Sequence, residues 1–427
     1  MIVASHKTDQ FKSLQHIFNV PLNYQEPGKG TIQVFARELQ ALEQNAAMRP
    51  YLVFLQGGPG SESPRSLEST GWIKRALKDY RVLLLDQRGT GLSSPITFQT
   101  LEPLSPQEQA DYLVHFRADN IVRDAEFIRQ ELSPDEPWST LGQSFGGFCT
   151  LRYLSSAPEG LKEAFITGGI SSLNRHIDDV YKATYKIVKN KNDLLFNRYP
   201  ELQEKCQKVA HYLLANEVTL PNGQIFTVRQ FQQLGMALGS SVGFEQLNYL
   251  LEHAFVQVKG KLELSYTFLH DCLHASSFIR NPLFSILHEA IYCQGFASRW
   301  SAHRIRGEFS EFNYEVGKDF LFTGEMIYPW MFDEYLTLQS FKEAADILAQ
   351  KDDWSNLYDP DVLSENKVPV AAAIYFHDMY VPLEFSLETA REVPNLKTWV
   401  TNEYEHNGLR ADGEHIMNKL MHMVSAI

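Results

Sequence analysis

The sequence predicts an α/β fold, in which a mostly parallel sheet carries helices on both faces and a helical segment is inserted before its last strands. Two observations support this prediction. Strand-like and helix-like segments alternate through the first third of the chain, which is the pattern of a sheet covered by helices. From about residue 173 the chain instead carries long amphipathic stretches rich in Lys, Glu and Gln, and strand signals return only after 365.

Short apolar runs that end at turn residues indicate the elements of the sheet. In the first part of the chain we expect strands at 31–38, 51–55, 80–85, 138–142 and 163–170, with helices at 118–132 and 148–157. Helical spacing continues at 180–196 and 201–215. The last elements are expected to be strands at 368–376 and 396–401 and a helix at 413–425. The chain then divides into an α/β core, residues 1–172 and 356–427, and a helical insertion or cap, residues 173–355.

The composition excludes several classes of protein. With 427 residues, of which 44% are hydrophobic, the chain can bury a large core. Its formal net charge of -13 argues against a surface for nucleic acid or an anionic membrane, which would need a basic patch. Four cysteines without Cys-x-x-Cys spacing indicate neither a disulfide framework nor a zinc cluster. Because no signal-peptide layout and no long uninterrupted apolar run is present, we expect a cytoplasmic protein.

The segment 142–146, Gly-Gln-Ser-Phe-Gly, fits the pattern Gly-x-Ser-x-Gly. It lies between a predicted strand and a predicted helix, where a sharp turn projects a serine hydroxyl beyond the edge of a sheet. Small flanking residues suit such a crowded turn. The alternatives are a phosphate-binding loop or an ordinary tight turn, but no Lys-Ser or Lys-Thr pair follows. We therefore predict that Ser144 is a nucleophile.

A glycine-rich loop, Gly-Gly-Pro-Gly at 57–60, directly follows the strand 51–55. Glycine lets a backbone approach a reacting carbonyl, so we expect the N–H groups of Gly58 and of Phe145, the residue after the serine, to form an oxyanion hole. Without a nucleophile nearby, the same loop would be ordinary turn chemistry. In the later Asp-Gln-Arg-Gly segment we expect Arg88 to brace loops rather than contact a substrate.

A serine nucleophile needs an imidazole base, which a carboxylate orients. In α/β-hydrolases the acid and then the base follow the serine, on loops after late strands. Asp378 follows the strand 368–376, and His406 lies in a loop after the strand 396–401, so we predict that these two residues complete the triad. The competing candidates, which fit this order less well, are His377, His415, Asp412 and Glu405.

Together these motifs resemble the proline iminopeptidase (prolyl aminopeptidase) family of α/β-hydrolases. The resemblance covers both halves of the core, and the segments 324–330 and 404–410 look like those of the larger bacterial members. Gln56 stands where many members carry His. The resemblance implies a serine exopeptidase that releases N-terminal residues, preferentially proline, through an acyl-enzyme. Its substrates would be short peptides with a free N-terminus, and it would need neither a metal nor another cofactor.

The resemblance also implies that carboxylates of the cap hold the free amino group of the substrate, and Glu289 and Glu325 are most similar to that role. An ammonium group that leaves water must meet an anion. Aromatic neighbours could wall a pocket for the proline ring; they are Tyr292, Tyr328, Trp330 and Phe332. The alternative interpretation is that these are exposed helix carboxylates and an ordinary aromatic core.

Other functions compete with the aminopeptidase. A serine esterase or amidase on this fold would share the triad but would not require a free amine. Epoxide hydrolases and dehalogenases normally have a carboxylate in place of the nucleophilic serine, so Ser144 disfavours them. A catalytically silent binding protein is the remaining alternative, and the intact triad argues against it. The sequence leaves the oligomeric state open.

Overall fold

A central sheet of nine strands organises the protein, whose computed structural model describes residues 2–276 and 278–427. The strands are β1 (Ile2–Lys7), β2 (Lys12–Pro21), β3 (Thr31–Gln40), β4 (Tyr51–Leu55), β5 (Arg81–Leu85), β6 (Trp138–Gln143), β7 (Leu161–Thr167), β8 (Phe255–Val258), β9 (Lys261–Leu264), β10 (Val370–Tyr375) and β11 (Leu396–Thr401). Their order in the sheet is β1-β2-β3-β5-β4-β6-β7-β10-β11, and β8 pairs with β9 in a separate hairpin. Strands β4 to β7, β10 and β11 run parallel to one another, which confirms the predicted mostly parallel sheet.

The helices fall into three groups along the chain. The first group is α1 (Gly71–Ala76), α2 (Phe98–Leu101), α3 (Pro106–Leu113), α4 (Ala118–Leu132) and α5 (Phe145–Ser156). The second group, between β7 and β10, is α6 (Ile177–Arg198), α7 (Glu201–Ala215), α8 (Val228–Gln233), α9 (Gly243–Glu252), α10 (Tyr266–Ala275), α11 (Pro282–Leu287), α12 (Ser301–Arg306), α13 (Met331–Glu334), α14 (Lys342–Gln350) and α15 (Pro360–Ser364). The last group is α16 (Leu383–Glu392), α17 (Gly408–Ala411) and α18 (Gly413–Val424). In the described part of the chain, no helix is both long and apolar enough to cross a membrane.

Side chains of the central strands alternate between two buried layers. Leu52 and Phe54 of β4 pack in one layer with Trp72 of α1, while Val53 and Leu55 join the layer that contains α4 and α5. A strand that is buried on both faces reads as a continuous apolar run, and this is the signal that the sequence carries at β4. Helices therefore cover both faces of the sheet, as the sequence predicts.

The first two strands and the small hairpin were not expected from the sequence. β1 is exposed along almost its whole length and pairs with β2 at the antiparallel edge of the sheet, so it lacks the apolar run that marks a central strand. The β8–β9 hairpin turns at Lys259 and Gly260, whose φ angles are +50° and +81°. A two-residue turn with positive φ at both positions matches the twist of antiparallel strands.

The parallel strands end at one edge of the sheet, and this edge carries the predicted site. β6 ends at Gln143, directly before Ser144, and β10 ends at Tyr375, shortly before Asp378. β11 lies beside β10 and leads into the loop that contains His406. Because parallel strands share one direction, their carboxyl ends bring these three residues to the same edge.

Candidate active site

Ser144 occupies the sharp turn between β6 and α5. Its backbone has φ +55° and ψ -124°, a conformation that residues other than glycine rarely adopt. The turn is held by its neighbours, because the Ser144 N–H donates to the Thr167 carbonyl at 2.9 Å and the Ser144 carbonyl accepts from the Gly147 N–H at 2.7 Å. A strained serine between a central strand and a helix is the geometry of a nucleophile elbow.

Two glycines allow this turn to form. A Cβ atom on Gly146 would overlap the carbonyl of Leu55, and one on Gly142 would overlap the carbonyl of Gly146. α5 therefore approaches β4 and β6 more closely than any residue with a side chain would permit. The small residues of the Gly-x-Ser-x-Gly pattern are required here by packing.

Asp378 and His406 form a buried hydrogen-bonded pair. His406 Nδ1 lies 2.6 Å from Asp378 Oδ2. The other carboxylate oxygen, Oδ1, accepts hydrogen bonds from the N–H groups of Tyr380 at 2.8 Å and Val381 at 3.0 Å. These bonds fix the orientation of the carboxylate, which in turn commits Nδ1 of the imidazole and leaves Nε2 for another partner.

The backbone of Gly168 and Gly169 lies between the elbow and the imidazole. A Cβ atom on Gly168 would lie 3.1 Å from His406 Nδ1, and one on Gly169 would overlap the carbonyl of Ser144. Gly168 has φ +52°, a turn that ends β7 earlier than the sequence indicates. Gly168 and Gly169 are consecutive, so one backbone segment contacts both the imidazole of the predicted base and the turn of the predicted nucleophile.

Three of the competing candidates, His377, His415 and Asp412, lie outside this arrangement, and the fourth, Glu405, pairs with Lys191. His377 is exposed and its ring packs on the neighbouring Phe376. His415 is exposed on α18, and Asp412 is exposed and accepts a hydrogen bond from the Tyr404 hydroxyl. The structure therefore favours the Asp378–His406 pair over each of them.

The glycine-rich loop after β4 packs directly against the elbow. A Cβ atom on Gly57 would lie 2.9 Å from the Ser144 Cβ, so the loop backbone reaches the predicted nucleophile. Behind the loop, the side-chain amide of Gln87 donates to the Gln56 carbonyl at 2.9 Å. Phe145 is the first residue of α5, where backbone N–H groups have no acceptor within the helix. The predicted oxyanion-hole donors, Gly58 and Phe145, thus come from two segments that meet at Ser144.

Arg88 braces loops, as the sequence indicates. Its buried guanidinium donates to Asp124 at 2.7 Å and to the backbone carbonyls of Leu22 and His115, each at 2.9 Å. The support that Gln87 gives to the oxyanion loop was not predicted. Gln87 lies two residues after the end of β5, and β5 lies next to β4 in the sheet. This position is the signal that could have predicted a contact with the loop after β4.

Glu325 is a partly buried carboxylate of the inserted segment. Burial, followed by the charge of Asp378, raises the pKa of Glu325 to about 8. Its side chain makes no hydrogen bond or ion pair within residues 2–276 and 278–427. After burial, the charge of Glu325 contributes to raising the pKa of the Tyr292 and Tyr380 hydroxyls.

Glu289 is buried and hydrogen-bonded through both carboxylate oxygens. Oε2 accepts from the Ser301 N–H at 3.1 Å and Oε1 from the Ala302 N–H at 2.9 Å, so Glu289 holds the N-terminus of α12. Burial nevertheless raises its pKa to about 7. The structure separates the two predicted carboxylates into one that is engaged by backbone donors and one that is unpaired.

The predicted aromatic residues also divide into two groups. Tyr292 packs edge-on against Phe148 of α5 at 5.6 Å between ring centroids, next to the elbow. Tyr328 and Trp330 stack on each other at 5.5 Å, and these two and Phe332 are buried in the core of the inserted segment. For these three residues the structure agrees with the alternative of an ordinary aromatic core.

Two tyrosines of the site were not found from the sequence. The ring of Tyr380 packs edge-on against the His406 imidazole at 4.7 Å between centroids, and its position two residues after Asp378 is a signal that could have found it. Tyr181 is buried on α6, and its hydroxyl has no hydrogen-bond partner in the described part of the chain. Burial raises the pKa of this hydroxyl, and the charges of Glu289 and Glu325 contribute to the same shift.

Comparison with known proteins assigns the chain to a family. The model of the alpha/beta hydrolase fold matches residues 50–409, so the chain is an α/β-hydrolase. It is 53% identical over 409 residues to the proline iminopeptidase of Aeromonas sobria, covering 96% of this chain and 95% of that protein. It is 37% identical over 416 residues to proline iminopeptidase aneH of Aspergillus aculeatus, with coverage of 94% and 91%. The chain therefore belongs to the proline iminopeptidase family, and the resemblance noted in the sequence is confirmed.

Proposed function

We propose that the protein is a serine aminopeptidase that releases N-terminal residues, preferentially proline, from peptides. The observation that carries this proposal is an unpaired, partly buried carboxylate, Glu325, whose pKa responds to the charge of Asp378. A nucleophile elbow next to a free anion suits a substrate that carries an ammonium group close to its scissile carbonyl. The relatives named proline iminopeptidases support proline as the preferred residue.

Acylation follows from the positions of the proposed catalytic groups. Ser144 attacks the carbonyl carbon of the first residue while His406 Nε2 accepts the hydroxyl proton. The N–H groups of Phe145 and Gly58 donate to the oxyanion that forms on the carbonyl oxygen. Asp378 holds the imidazole in the required orientation and stabilises it while it is protonated.

Two proton transfers complete the cycle. His406 donates its proton to the nitrogen of the scissile peptide bond, the C–N bond breaks, and the shortened peptide leaves with a new amino terminus. The first residue stays bound to Ser144 as an ester. Water then attacks the ester while His406 takes a proton from it, and Ser144 regains its hydroxyl proton as the free amino acid departs.

The substrate ammonium group contacts Glu325 in this proposal. Because the carboxylate is partly withdrawn from water, the ion pair forms in a low dielectric, where it is stronger than in solution. Glu289 contributes negative charge from a second layer, since both of its oxygens already hold α12. The unpartnered Tyr181 hydroxyl lies near both carboxylates and supplies a further polar contact.

We also propose that the chain works as two units with separate roles. Residues 1–172 and 356–427 form the catalytic core, which supplies the nucleophile, acid, base and oxyanion donors. Residues 173–355 form the cap, which supplies Glu289, Glu325 and Tyr181. Substrate choice would then depend on the cap, and the bond-breaking chemistry on the core.

A panel of chromogenic substrates tests the proposed activity. The panel contains prolyl, alanyl and leucyl anilides, each with a free and with an acetylated amine, and a simple butyrate ester. Purified wild-type enzyme should cleave the free prolyl anilide fastest. Ser144→Ala should abolish this cleavage, and Ser156→Ala, which changes an exposed serine on the same helix, should leave it intact.

The panel also separates the competing functions. Cleavage of the ester or of acetylated anilides without preference for a free amine would refute the aminopeptidase and leave a serine esterase or amidase. A catalytically silent binding protein would cleave nothing and would fail to react with a fluorophosphonate probe, which labels an activated serine.

A further inference from the structure

The loop that carries the proposed base is hydrogen-bonded to the cap. The backbone N–H of His406 donates to the Gly239 carbonyl at 3.2 Å. The next residue, Asn407, accepts from the Ser241 N–H through Oδ1 at 3.0 Å and donates to the Ser241 hydroxyl through Nδ2 at 3.1 Å. Residues of the cap thus hold two consecutive residues of a core loop by hydrogen bonds.

The residue before the base is also bound to the cap, by an ion pair. Lys191 of α6 lies with Nζ 2.6 Å from Glu405 Oε1, and the lysine side chain is only 3% exposed. A buried ammonium group is costly unless it is paired, so this contact is not a flexible surface bridge. The second carboxylate oxygen of Glu405 has no partner in the described part of the chain. The position of Glu405 therefore depends on Lys191.

A third contact is made to Tyr380, which lies in the loop of the proposed acid, Asp378. The hydroxyl of Tyr380 donates to the Met236 carbonyl, and a Cβ atom on Gly239 would overlap the Tyr380 ring. The same ring packs against the imidazole of His406 and follows Asp378 closely in the chain. The segment around Met236 and Gly239 thus contacts both loops of the proposed acid–base pair.

The helix that carries Lys191 also positions the proposed amine-binding carboxylate. Asn192 accepts from the Phe322 N–H at 2.8 Å and donates to the Phe322 carbonyl at 2.9 Å. One turn earlier on α6, Val188 packs so closely on Gly324 that a Cβ atom there would lie 2.5 Å from its Cγ2. Neighbouring positions of one helix therefore hold the segment of Glu325 and the loop of the base.

We propose that Lys191 is a positioning residue for catalysis. Through Glu405 it fixes the loop on which His406 lies. Because α6 also contacts the segment of Glu325, this helix sets the position of the base relative to the bound amine. This inference rests on the proposed function, because it takes His406 as the base. It assigns the cap a role in the chemical step as well as in binding.

The test compares Lys191→Met with the wild-type enzyme. We measure kcat and KM on free prolyl anilide and, independently, the rate at which a fluorophosphonate labels Ser144. Since small displacements of a catalytic group reduce rates strongly, we expect kcat and the labelling rate to fall by ~10-fold or more, with KM changed by less than ~3-fold. Lys191→Arg keeps the charge and should recover part of both rates.

Lys189→Met is the matched control. Lys189 lies on the same helix and pairs with Asp193 at 3.1 Å, but both side chains are about half exposed, at 45% and 52%. Loss of a solvent-exposed pair should leave kcat, KM and the labelling rate unchanged. A folded Lys191→Met enzyme that behaves in the same way would overturn the proposal, and so would a change confined to KM.

Asn407→Ala provides a second variant should Lys191→Met fail to fold. It removes the partly exposed side chain that bonds to Ser241, and it should lower kcat and the labelling rate together, by less than Lys191→Met. Unchanged rates in Asn407→Ala would then count against the proposal. If the wild-type enzyme reacts with the fluorophosphonate but does not cleave the anilide, the proposed substrate is refuted. The labelling rates of the variants would still decide the role of Lys191.

Discussion

Asp378 in the core and Glu325 in the inserted segment are the two carboxylates that we propose act on the substrate directly or through His406, but their surroundings differ. Asp378 has one oxygen bonded to two backbone N–H groups and the other bonded to His406. Glu325 has no polar partner in the described residues, and burial with the charge of Asp378 raises its pKa to about 8. Buried polar groups in proteins are normally paired, and we propose that the substrate ammonium group pairs with Glu325.

The difference suggests how the site divides its work. On the core side, hydrogen bonds hold Asp378 and His406 in place before a substrate arrives, as preorganised stabilisation of a transition state requires. The cap side leaves one charge for the substrate to satisfy. Substitutions in the core should therefore affect every electrophile that reaches Ser144, and substitutions at Glu325 should affect only substrates with a free amine.

The largest effect is expected from Asp378→Asn. The amide would keep its oxygen toward the N–H groups of Tyr380 and Val381 but would present an NH2 group to His406, which favours the wrong imidazole tautomer. We expect kcat on prolyl anilide to fall by ~10⁴-fold, and fluorophosphonate labelling to slow in parallel. Asp412→Asn, which changes an exposed carboxylate, is the control. If Asp378→Asn slowed only free-amine substrates, the division between core and cap would fail.

A smaller and selective effect is expected from Glu325→Gln. The amide keeps the volume but cannot form an ion pair, so kcat/KM on free prolyl anilide should fall by ~10²-fold because a charged partner in the site is lost. Labelling by the fluorophosphonate, which carries no amine, should stay close to the wild-type rate. Glu311→Gln, an exposed change in the same segment, should alter neither. Equal losses in both assays would place Glu325 in the chemistry instead.

The pH dependence of kcat/KM should reveal the same carboxylate. This parameter reports the free enzyme, in which the raised pKa of about 8 keeps Glu325 protonated and neutral at lower pH. Ionisation on raising the pH creates the anion that the ammonium group needs, so kcat/KM for prolyl anilide should rise by roughly tenfold per pH unit up to about 8. The pH profile of the labelling rate should lack this rise. If the labelling rate rose with pH in the same way as kcat/KM, ionisation of Glu325 would be excluded as the cause of the rise.

Sequence reasoning succeeds here where the signal is local. Ser144 lies between an apolar strand and a helix with glycines at the crowded positions, and all three features are contiguous in the chain. Asp378 and His406 were found by the order of the strands, since each follows a short apolar run at the same edge of the sheet. Local propensity and chain order together were sufficient to predict three residues that the structure places at one edge of the sheet, and their roles as nucleophile, acid and base stay a proposal.

The remaining residues depend on contacts between distant segments. Lys191 is one polar residue of an amphipathic helix, and its importance appears only when Glu405, far along the chain, is seen beside it. Tyr181 occupies a buried position of α6 that sequence periodicity cannot distinguish from other core positions. β1 is an exposed edge strand, so the hydrophobic pattern that marks the central strands is missing from it.

The smallest effect on activity is expected from Glu289→Ala, which tests whether the two cap carboxylates differ. The substitution leaves the buried N–H groups of Ser301 and Ala302 without their acceptor, so the free energy of unfolding should fall by about 2 kcal/mol or more. Because Glu289 acts on the amine only at a distance, kcat/KM on prolyl anilide should fall by less than ~10-fold, as expected for a residue that contributes no direct contact. Denaturant unfolding and steady-state kinetics measure the two quantities, with the exposed Glu308→Ala as the control. Unchanged stability with a fall in kcat/KM as large as that of Glu325→Gln would show that both carboxylates bind the amine directly.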